Sequence, residues 1–461
     1  MRGIVAIGTY VPRHRLDRAA LASALDLPPQ RGTRSVASHD EDVTTLAVEA
    51  ARPALRGLDA SVQSVWLAST RAPYLDKTNA AAVAAALRLG DRAAAYDVGG
   101  ALRSGMAALR AASSQSGPAL AVLSDIRYGL PTSDEEMWGG DAAAAVIYGD
   151  DPIAEVLGTA ALTAEFMDRW RAEGEAGPSK WDERWSAGIH TQLMQDAAGE
   201  ALKAAGLTVG DVDHVVVASP HRRAAAGVAR GFEAHVHGPD LVATVGYAGT
   251  AHVGLALARA LESAGADEVV LVVSAADGAD AMVLRTTDRI NERSRVTTWD
   301  DDGIPVDVAR YHTWRGLLRR EPPRRPEPTP PASPPSARNA NWKFGFEAAE
   351  CTACGARHLP PHRVCRDCHA IDQMVPVSLQ DTTATVATFT IDHLAWSLSP
   401  PTVVAVLDFD GGGRYPCQIT DADADNVAIG DRVEMTFRVL DVARNGARNY
   451  FWKARPVQVE D

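Results

Sequence analysis

Apolar positions along the first 300 residues follow two alternating periods. Val43–Leu55 places Leu46, Ala47, Ala50, Ala51 and Leu55 on one side, the spacing of an amphipathic helix. Asp40 and Glu41 precede it, and acidic residues suit the positive end of a helix dipole. Short apolar runs at Ile4–Ile7, Val62–Ala68, Pro118–Ser124 and Ala142–Tyr148 predict strands, the last two apolar enough to be buried. Asn79–Leu89 predicts a helix among them. The order then returns as helix Thr191–Ala205, strand Val212–Ser219, helix Ala251–Ala264 and strand Glu268–Ser274. Ser69 and Ser219 lie 150 positions apart, as do Ser124 and Ser274, and the Gly-rich turns Gly99–Gly105 and Gly246–Gly254 correspond. A repeat of this size predicts two similar α/β halves, residues 1–150 and 151–300.

Beyond residue 300 the pattern changes. Arg319–Arg338 is rich in proline and arginine and cannot build a core, so residues 301–342 are expected to form an extended, partly stiff spacer. A proline-rich binding motif is the alternative. Residues 343–375 carry two Cys-x-x-Cys pairs. In residues 376–461, short alternating runs predict five strands at Thr383–Thr390, Thr402–Phe409, Arg414–Thr420, Arg432–Leu440 and Asn449–Arg455. Five short strands separated by Gly-rich and Asn-Gly turns fit a small barrel of the OB type.

Composition narrows the function classes. The chain holds 46 Lys and Arg against 59 Asp and Glu, a formal net charge of −13. That disfavours general binding to nucleic acid or anionic membranes. From Pro376 to Asp461, twelve acidic residues face seven basic ones, whereas a groove tracking a nucleic-acid backbone should be basic. The first apolar run is too short for a secretory signal, and none approaches the ~20 residues of a membrane span, so a cytoplasmic protein is expected. Four of the five cysteines fall between positions 351 and 368, which suggests metal rather than disulfides. Cys351, Cys354, Cys365 and Cys368 would supply four thiolates, the tetrahedral set zinc prefers, and a structural zinc with no open position is expected. Redox-active or merely buried thiols are the competing reading. His358, His362 and His369 are expected at the surface or behind the ligands.

The stretch Asp97-Val-Gly-Gly-Ala-Leu-Arg-Ser-Gly-Met-Ala-Ala-Leu109 runs from a glycine turn into a helix. Glycine lets a ligand approach the backbone, and a helix N-terminus offers free N–H groups to an anionic oxygen. With Ile4–Pro12, Asp40-Glu-Asp-Val-Thr-Thr-Leu-Ala-Val48, Pro73-Tyr-Leu-Asp-Lys-Thr-Asn79 and Gly140-Asp-Ala-Ala143, this stretch resembles the thiolase superfamily. The nearest branch is that of 3-hydroxy-3-methylglutaryl-CoA (HMG-CoA) synthase-like proteins, over roughly residues 1–290. The resemblance implies a duplicated thiolase-type α/β fold, a coenzyme A thioester as substrate, and pairing across a sheet edge into a homodimer or with a related subunit. In that family a cysteine on this turn attacks the thioester; the matching position here is Leu102. The family's general acid/base glutamate points to Glu41, for which a plain helix-end acid is the alternative. Its histidine falls at Ala218, with His221 three positions on. Its asparagine falls at Tyr247, with His252 just beyond.

A Cys/His/Asn set forms and stabilises an acyl-enzyme; with those members replaced, acyl-cysteine chemistry should fail. Ser104 shares the turn but is expected to pack or cap, and an acyltransferase using it as nucleophile ranks last. Trp342-Lys-Phe-Gly-Phe346 and His358-Leu-Pro-Pro361 resemble the zinc-ribbon/OB modules that accompany thiolase-like enzymes, which implies help in holding an acyl-CoA or acyl-carrier partner. Two functions are therefore expected. One is an acyl-CoA enzyme that makes or breaks a C–C bond by acid/base or aldol-type chemistry through Glu41, His221 and Tyr247. The other is a non-catalytic acyl-CoA-binding or scaffolding subunit, favoured by Leu102.

Overall fold

The computed structural model describes residues 2–58, 61–292, 303–323 and 330–457. The chain divides into two units. One comprises Met1–Ser38, Leu46–Ala81 and Asp91–Tyr311; the other comprises His39–Thr45, Ala82–Gly90 and His312–Asp461.

Ten strands of the first unit form one sheet. In chain order they are β1 (Arg2–Tyr10), β2 (Ser64–Ser69), β3 (Ala94–Gly99), β4 (Ala119–Asp125), β5 (Ala142–Asp150), β6 (Ala154–Thr163), β7 (His214–Ala218), β8 (His235–His237), β9 (Val269–Ala275) and β10 (Gly278–Thr286). Their spatial order is β8-β7-β9-β10-β6-β1-β5-β4-β2-β3. Outward from the central antiparallel β1–β6 pair, each half makes two antiparallel pairings and then two parallel ones. The duplication expected from the 150-residue offset is thus present as a repeated order of strands.

Helices Ser104–Ser113 and His252–Ser263 each follow the glycine turn of their half. They bury Met106, Leu109, Leu255, Leu257 and Leu261 in one core with Ile4, Leu123, Val146 and Val272. Small residues set how closely these layers approach. A Cβ on Gly8 of β1 would stand 2.2 Å from the Ala50 carbonyl oxygen of helix Val43–Leu55.

One strand was not singled out in the sequence and one helix differs from the expectation. β3 pairs in parallel with β2 as an edge strand. The helix expected at Thr191 begins at Glu183, capped by the Asp182 side chain, which accepts from the Arg184 amide at 2.8 Å. Its first two turns scatter Trp185 and Ile189 among Glu183, Arg184, Ser186 and Gly188 without a clear apolar face, so the apolar period announces it late.

In the second unit, strands Glu347–Cys351, Arg357–His358 and Met374–Ser378 form a small antiparallel sheet. β11 (Ala384–Asp392), β12 (Thr402–Phe409), β13 (Arg414–Ile419), β14 (Arg432–Val442) and β15 (Arg448–Pro456) close into a barrel in the order β11-β12-β13-β15-β14. Phe437 and Trp452 fill it, with Tyr450 stacked on Phe437 at 5.6 Å. The expected spacer is not extended throughout. Ser333–Arg338 is helical, with prolines in its first turn, where no intrahelical donor is lost. Residues 324–329 of that stretch lie outside the described residues. Among the described residues no helix is long and apolar enough to cross a membrane.

Gly8→Ala should force the strand and the helix apart and cost about 1–3 kcal/mol, the usual penalty for overpacking a tight contact. The measurement is the urea midpoint of the first unit's unfolding. An unchanged midpoint would show that the two elements separate without loss.

Candidate functional site

β3 ends at Gly99, and Gly100 turns the chain with φ +99°. The Ser104 amide then bonds Ala101 O at 3.1 Å and the helix starts. Gly105 is required by a close approach, since a Cβ there would lie 2.7 Å from Thr250 O in the second half's turn. Asp125, fully buried at the end of β4, ties the surrounding loops together. Its Oδ1 accepts from Ser69 Oγ (3.0 Å), Thr70 N (2.8 Å) and Thr70 Oγ1 (2.9 Å), and its Oδ2 accepts from Thr250 N (2.8 Å).

Above this turn lies a pocket of about 110 Å³. It is lined by Gly100, Ala101 and Leu102 of the turn, by Asp168, His190 and Asp277, and by Arg71, Arg127, Arg169 and Arg171. Asp168 precedes a short hairpin of Arg169–Trp170 and Ser179–Lys180. His190 projects from helix Glu183–Ala205, and His221 immediately precedes helix Arg222–Ala229 without a side-chain capping bond. All three are buried, His190 to 1% exposure. Asp168 Oδ2 lies 2.7 Å from His221 Nε2 and 3.2 Å from His190 Nε2. The two rings are 4.4 Å apart, and the edge of Phe166 packs on His190. Burial pushes the Asp168 carboxyl up, but hydrogen bonds from His190, His221 and Ser186 outweigh it and hold the group well below the usual carboxylate range.

An ionised carboxylate only accepts, so both Nε2 atoms carry protons. The second nitrogen of a neutral His190 then presents a lone pair, and Nδ1 has no hydrogen-bond partner among the described residues. The three ligand-type atoms lie within 4.8 Å of one another. Hydrogen bonds already account for their spacing, and the four guanidiniums of the same pocket oppose a cation there.

The other residues singled out in the sequence fall elsewhere. Tyr247 anchors its loop through the backbone: its amide donates to Trp138 O at 2.7 Å and its carbonyl accepts from Gly140 N at 3.2 Å. Burial raises its phenol well above the ordinary value, against the pull of Arg127 and Arg169, so it stays protonated. Its ring packs on His252 at 4.7 Å. His252 is held by Gly238 O at 3.1 Å and by the Ala248 amide at 3.4 Å, and burial pushes its pKa down to about 4. The Ser104 hydroxyl has no histidine partner among the described residues.

Glu41 belongs to the second unit, where its Oε1 meets Arg438 at 2.7 Å with both side chains buried. Asp421 and Asp40 complete the Arg438 pairing at 2.5 and 3.5 Å, and Lys453 meets Asp40 at 2.9 Å. The acid that caps helix Val43–Leu55 is Asp42, accepting from Thr44 and Thr45 amides at 2.9 and 3.0 Å. Asp168 and His190 were not visible in the sequence. The one local signal was the Asp182 helix cap, which extends the helix back to include His190.

In the ribbon, Cys351 Sγ lies 3.7 Å from Cys368 Sγ, and Cys354 Sγ 3.6 Å from Cys365 Sγ. Four thiolates on a tetrahedral zinc at about 2.3 Å stand about 3.8 Å apart, so the set fits that ion. His358 Nε2 lies 3.4 Å from Cys365 Sγ and, with the Cys368 amide, favours its thiolate.

The repeated strand order, the paired glycine turns and the pocket at the first of them define a thiolase-type α/β protein. Sequence comparison agrees: the chain is 30% identical over 349 residues to hydroxymethylglutaryl-CoA synthase of Methanothermobacter thermautotrophicus, covering 69% of this chain and 99% of that protein. It belongs to the hydroxymethylglutaryl-CoA synthase family. A crystal structure of HMG-CoA synthase complexed with CoA superposes with a TM-score of 0.62 at 21% identity, covering 68% of this chain and 89% of that one. The HMG synthase of the curacin biosynthetic pathway, solved in complex with apo donor-ACP, gives 0.59 at 18% identity over 68% and 88%. Residues 377–438 match the model of the ChsH2 C-terminal OB-fold domain.

Two outcomes follow from this geometry. His252 is neutral when folded, with a pKa of about 4 against 6.5 for the free side chain. Between those values the unfolded chain binds the extra proton, so stability falls as pH drops from about 6.5 and levels off below 4. His252→Gln should flatten that part of the first unit's stability profile, read by urea unfolding at a series of pH values. Protein prepared without chelator should carry about one zinc per chain by metal analysis, lost in Cys365→Ser. Metal-free wild-type protein would overturn the zinc assignment.

Proposed function

We propose that the first unit binds an acyl-CoA or acyl-carrier thioester and makes or breaks a C–C bond by proton transfer, without an acyl-enzyme. One observation carries this reading: the pocket at the glycine turn is lined both by Leu102 and by a buried carboxylate–imidazole pair, Asp168 and His190. All five cysteines lie at or beyond Cys351, so the first unit offers no thiol. Leu102 stands where the family's nucleophile would, and it cannot attack a thioester.

Asp168 holds the His190 Nε2 proton and leaves Nδ1 as the base. In an aldol-type cleavage, Nδ1 takes the proton of a β-hydroxyl. The Cα–Cβ bond breaks to leave a carbonyl compound and a thioester enolate, and the enolate is reprotonated at Cα. His221 shares the Asp168 oxygen and fixes the carboxylate. Glu41 is given the role of a partner to Arg438 rather than a base. The zinc ribbon and barrel serve to hold the acyl partner, with the zinc structural. β3 ends the sheet with half-exposed and exposed residues and an open edge, which suits pairing with a second copy or a related subunit. Leu102 equally favours a second reading, a binding subunit with no turnover of its own.

Intact-mass measurement after incubation with acetyl-CoA should show no acyl shift. A panel of β-hydroxyacyl-CoA thioesters tests turnover. His190→Gln and Asp168→Asn should lower it by about 10²–10⁴-fold. Glu41→Gln should instead cost about 1–3 kcal/mol of second-unit stability and leave turnover intact. A stable acyl adduct would sink the non-covalent mechanism, and thioester binding without turnover would establish the scaffold reading.

A further inference from the structure

Three groups lining the pocket are carboxyls or imidazoles: Asp168, His190 and Asp277. The first two are committed to one another. Asp168 is held ionised by its donors, and His190 gives its Nε2 proton to that bond. Asp277 is differently placed. It is exposed at the pocket, and its carboxylate has neither a hydrogen-bond nor an ion-pair partner among the described residues.

The backbone of Asp277 is fixed from the glycine turn. Arg103, next to Leu102, donates to the Asp277 carbonyl at 3.0 Å and to Leu162 O at 2.8 Å, and pairs with Asp280 at 2.7 Å. Gly278 keeps room for that guanidinium: with φ +126°, a Cβ on it would stand 2.5 Å from Arg103 Nη1. The turn joining β9 to β10 is therefore clamped to the segment that carries Leu102. Asp277 itself has φ +54°. Aspartate tolerates that left-handed conformation, and asparagine does so equally. The turn accounts for a short polar residue but does not call for a carboxylate. The charges acting most on Asp277 are His190, Asp168, Arg103 and Glu165; none of the pocket's four arginines is among them. Burial, with the neighbouring Asp168 and Glu165 carboxylates, raises its pKa against the pull of His190 and Arg103. It therefore holds a proton more readily than an ordinary aspartate.

The cleavage set out above moves protons at two atoms. His190 Nδ1 serves the β-hydroxyl, and the enolate carbon needs a donor. We propose that Asp277 is a second catalytic residue, which exchanges a proton with the carbon next to the thioester carbonyl. This rests on the acyl-thioester reading for the identity of the substrate. In cleavage, the neutral carboxyl gives its proton to Cα as the enolate electron pair forms the new C–H bond. His190 then releases the hydroxyl proton to water, and the Asp277 carboxylate recovers one from water, so the pocket returns to its starting state. With a thioester that has no β-hydroxyl, the carboxylate runs the step alone. It takes a proton from Cα to leave the enolate, exchanges that proton with solvent and returns it.

The test follows that half-reaction. Full-length protein is incubated with butyryl-CoA in heavy water, and deuterium at Cα is read by mass spectrometry of the recovered thioester. Cleavage is followed on the β-hydroxyacyl-CoA panel, and butyryl-CoA binding and the urea midpoint are measured for each variant. The wild type should exchange faster than buffer alone. Asp277→Asn keeps the turn and should lower both exchange and cleavage by at least about 100-fold, with binding and midpoint unchanged. Asp277→Gly, which the positive φ also permits, takes its place if asparagine lowers the midpoint. Exchange or cleavage that persists at the wild-type rate in the variant overturns the inference and leaves the proposed reaction standing. So does a wild type that cleaves without exchanging. Exchange that depends on Asp277, with no cleavage of any thioester, sinks the proposed reaction and leaves this inference standing. Neither exchange nor cleavage by the wild type overturns both.

Discussion

The Asp125 carboxylate takes donors from the end of β2 in the first half of the sheet and from the Gly249–Ala251 turn in the second, and it pairs with Arg127. Fully buried, it costs little only because its oxygens are all engaged. Its neighbours are chosen by that demand. Gly249 adopts φ +57°, and a Cβ there would fall 2.1 Å from Asp125 Oδ2. Thr70 is held where it can receive Arg171, and Arg127 is aimed into the pocket. The pocket therefore inherits its shape from a buried ion that does not itself line it.

That arrangement separates two electrostatic tasks that one set of residues would perform poorly. Arg127 and Arg169, matched by Asp125 and Glu135, are framework. The Glu135 carboxyl, raised by burial but pulled lower by Arg127 and Arg169 to about 2, stays ionised throughout the useful pH range. Asp168 stays ionised as well, through hydrogen bonds rather than cations, and so it can orient imidazoles without taking their protons. Fixed charges and the His190 Nδ1, which has no hydrogen-bond partner among the described residues, thus belong to the same pocket.

What the sequence disclosed depended on whether the cause was local. The strand Thr402–Phe409 was readable to its ends because its alternation and the flanking turns are contained in the stretch itself. The duplicated halves were readable because buried strands such as Ala142–Asp150 are apolar without interruption. β3 was not, since Ala94–Gly99 includes Asp97 and ends in glycine and has no clear alternation of its own, so pairing with β2 defines it as a strand. The Asp168–His190 pair has no motif, because a hairpin and a helix bring it together over 22 positions without any spacing rule. The partner of Glu41 was out of reach for a related reason: Asp42 does the capping beside it, and Glu41 meets Arg438, near the other end of the chain.

The acidic segment that neutralises Arg438 and Lys453 has a consequence for synthesis. Asp40 and Arg438 are 398 positions apart, so the segment leaves the ribosome long before the barrel strands that need it. Until it docks, Lys453 lacks its acid and Arg438 has Asp421 alone, a state short of the finished one by several kcal/mol. The barrel of this chain must therefore mature last, and it is not a module that can be cut out by translating residues 312–461 alone. A recombination event moving only that part of the gene would deliver a barrel without Asp40 and Glu41. The second unit thus includes His39–Thr45, a segment far in sequence from the rest of it.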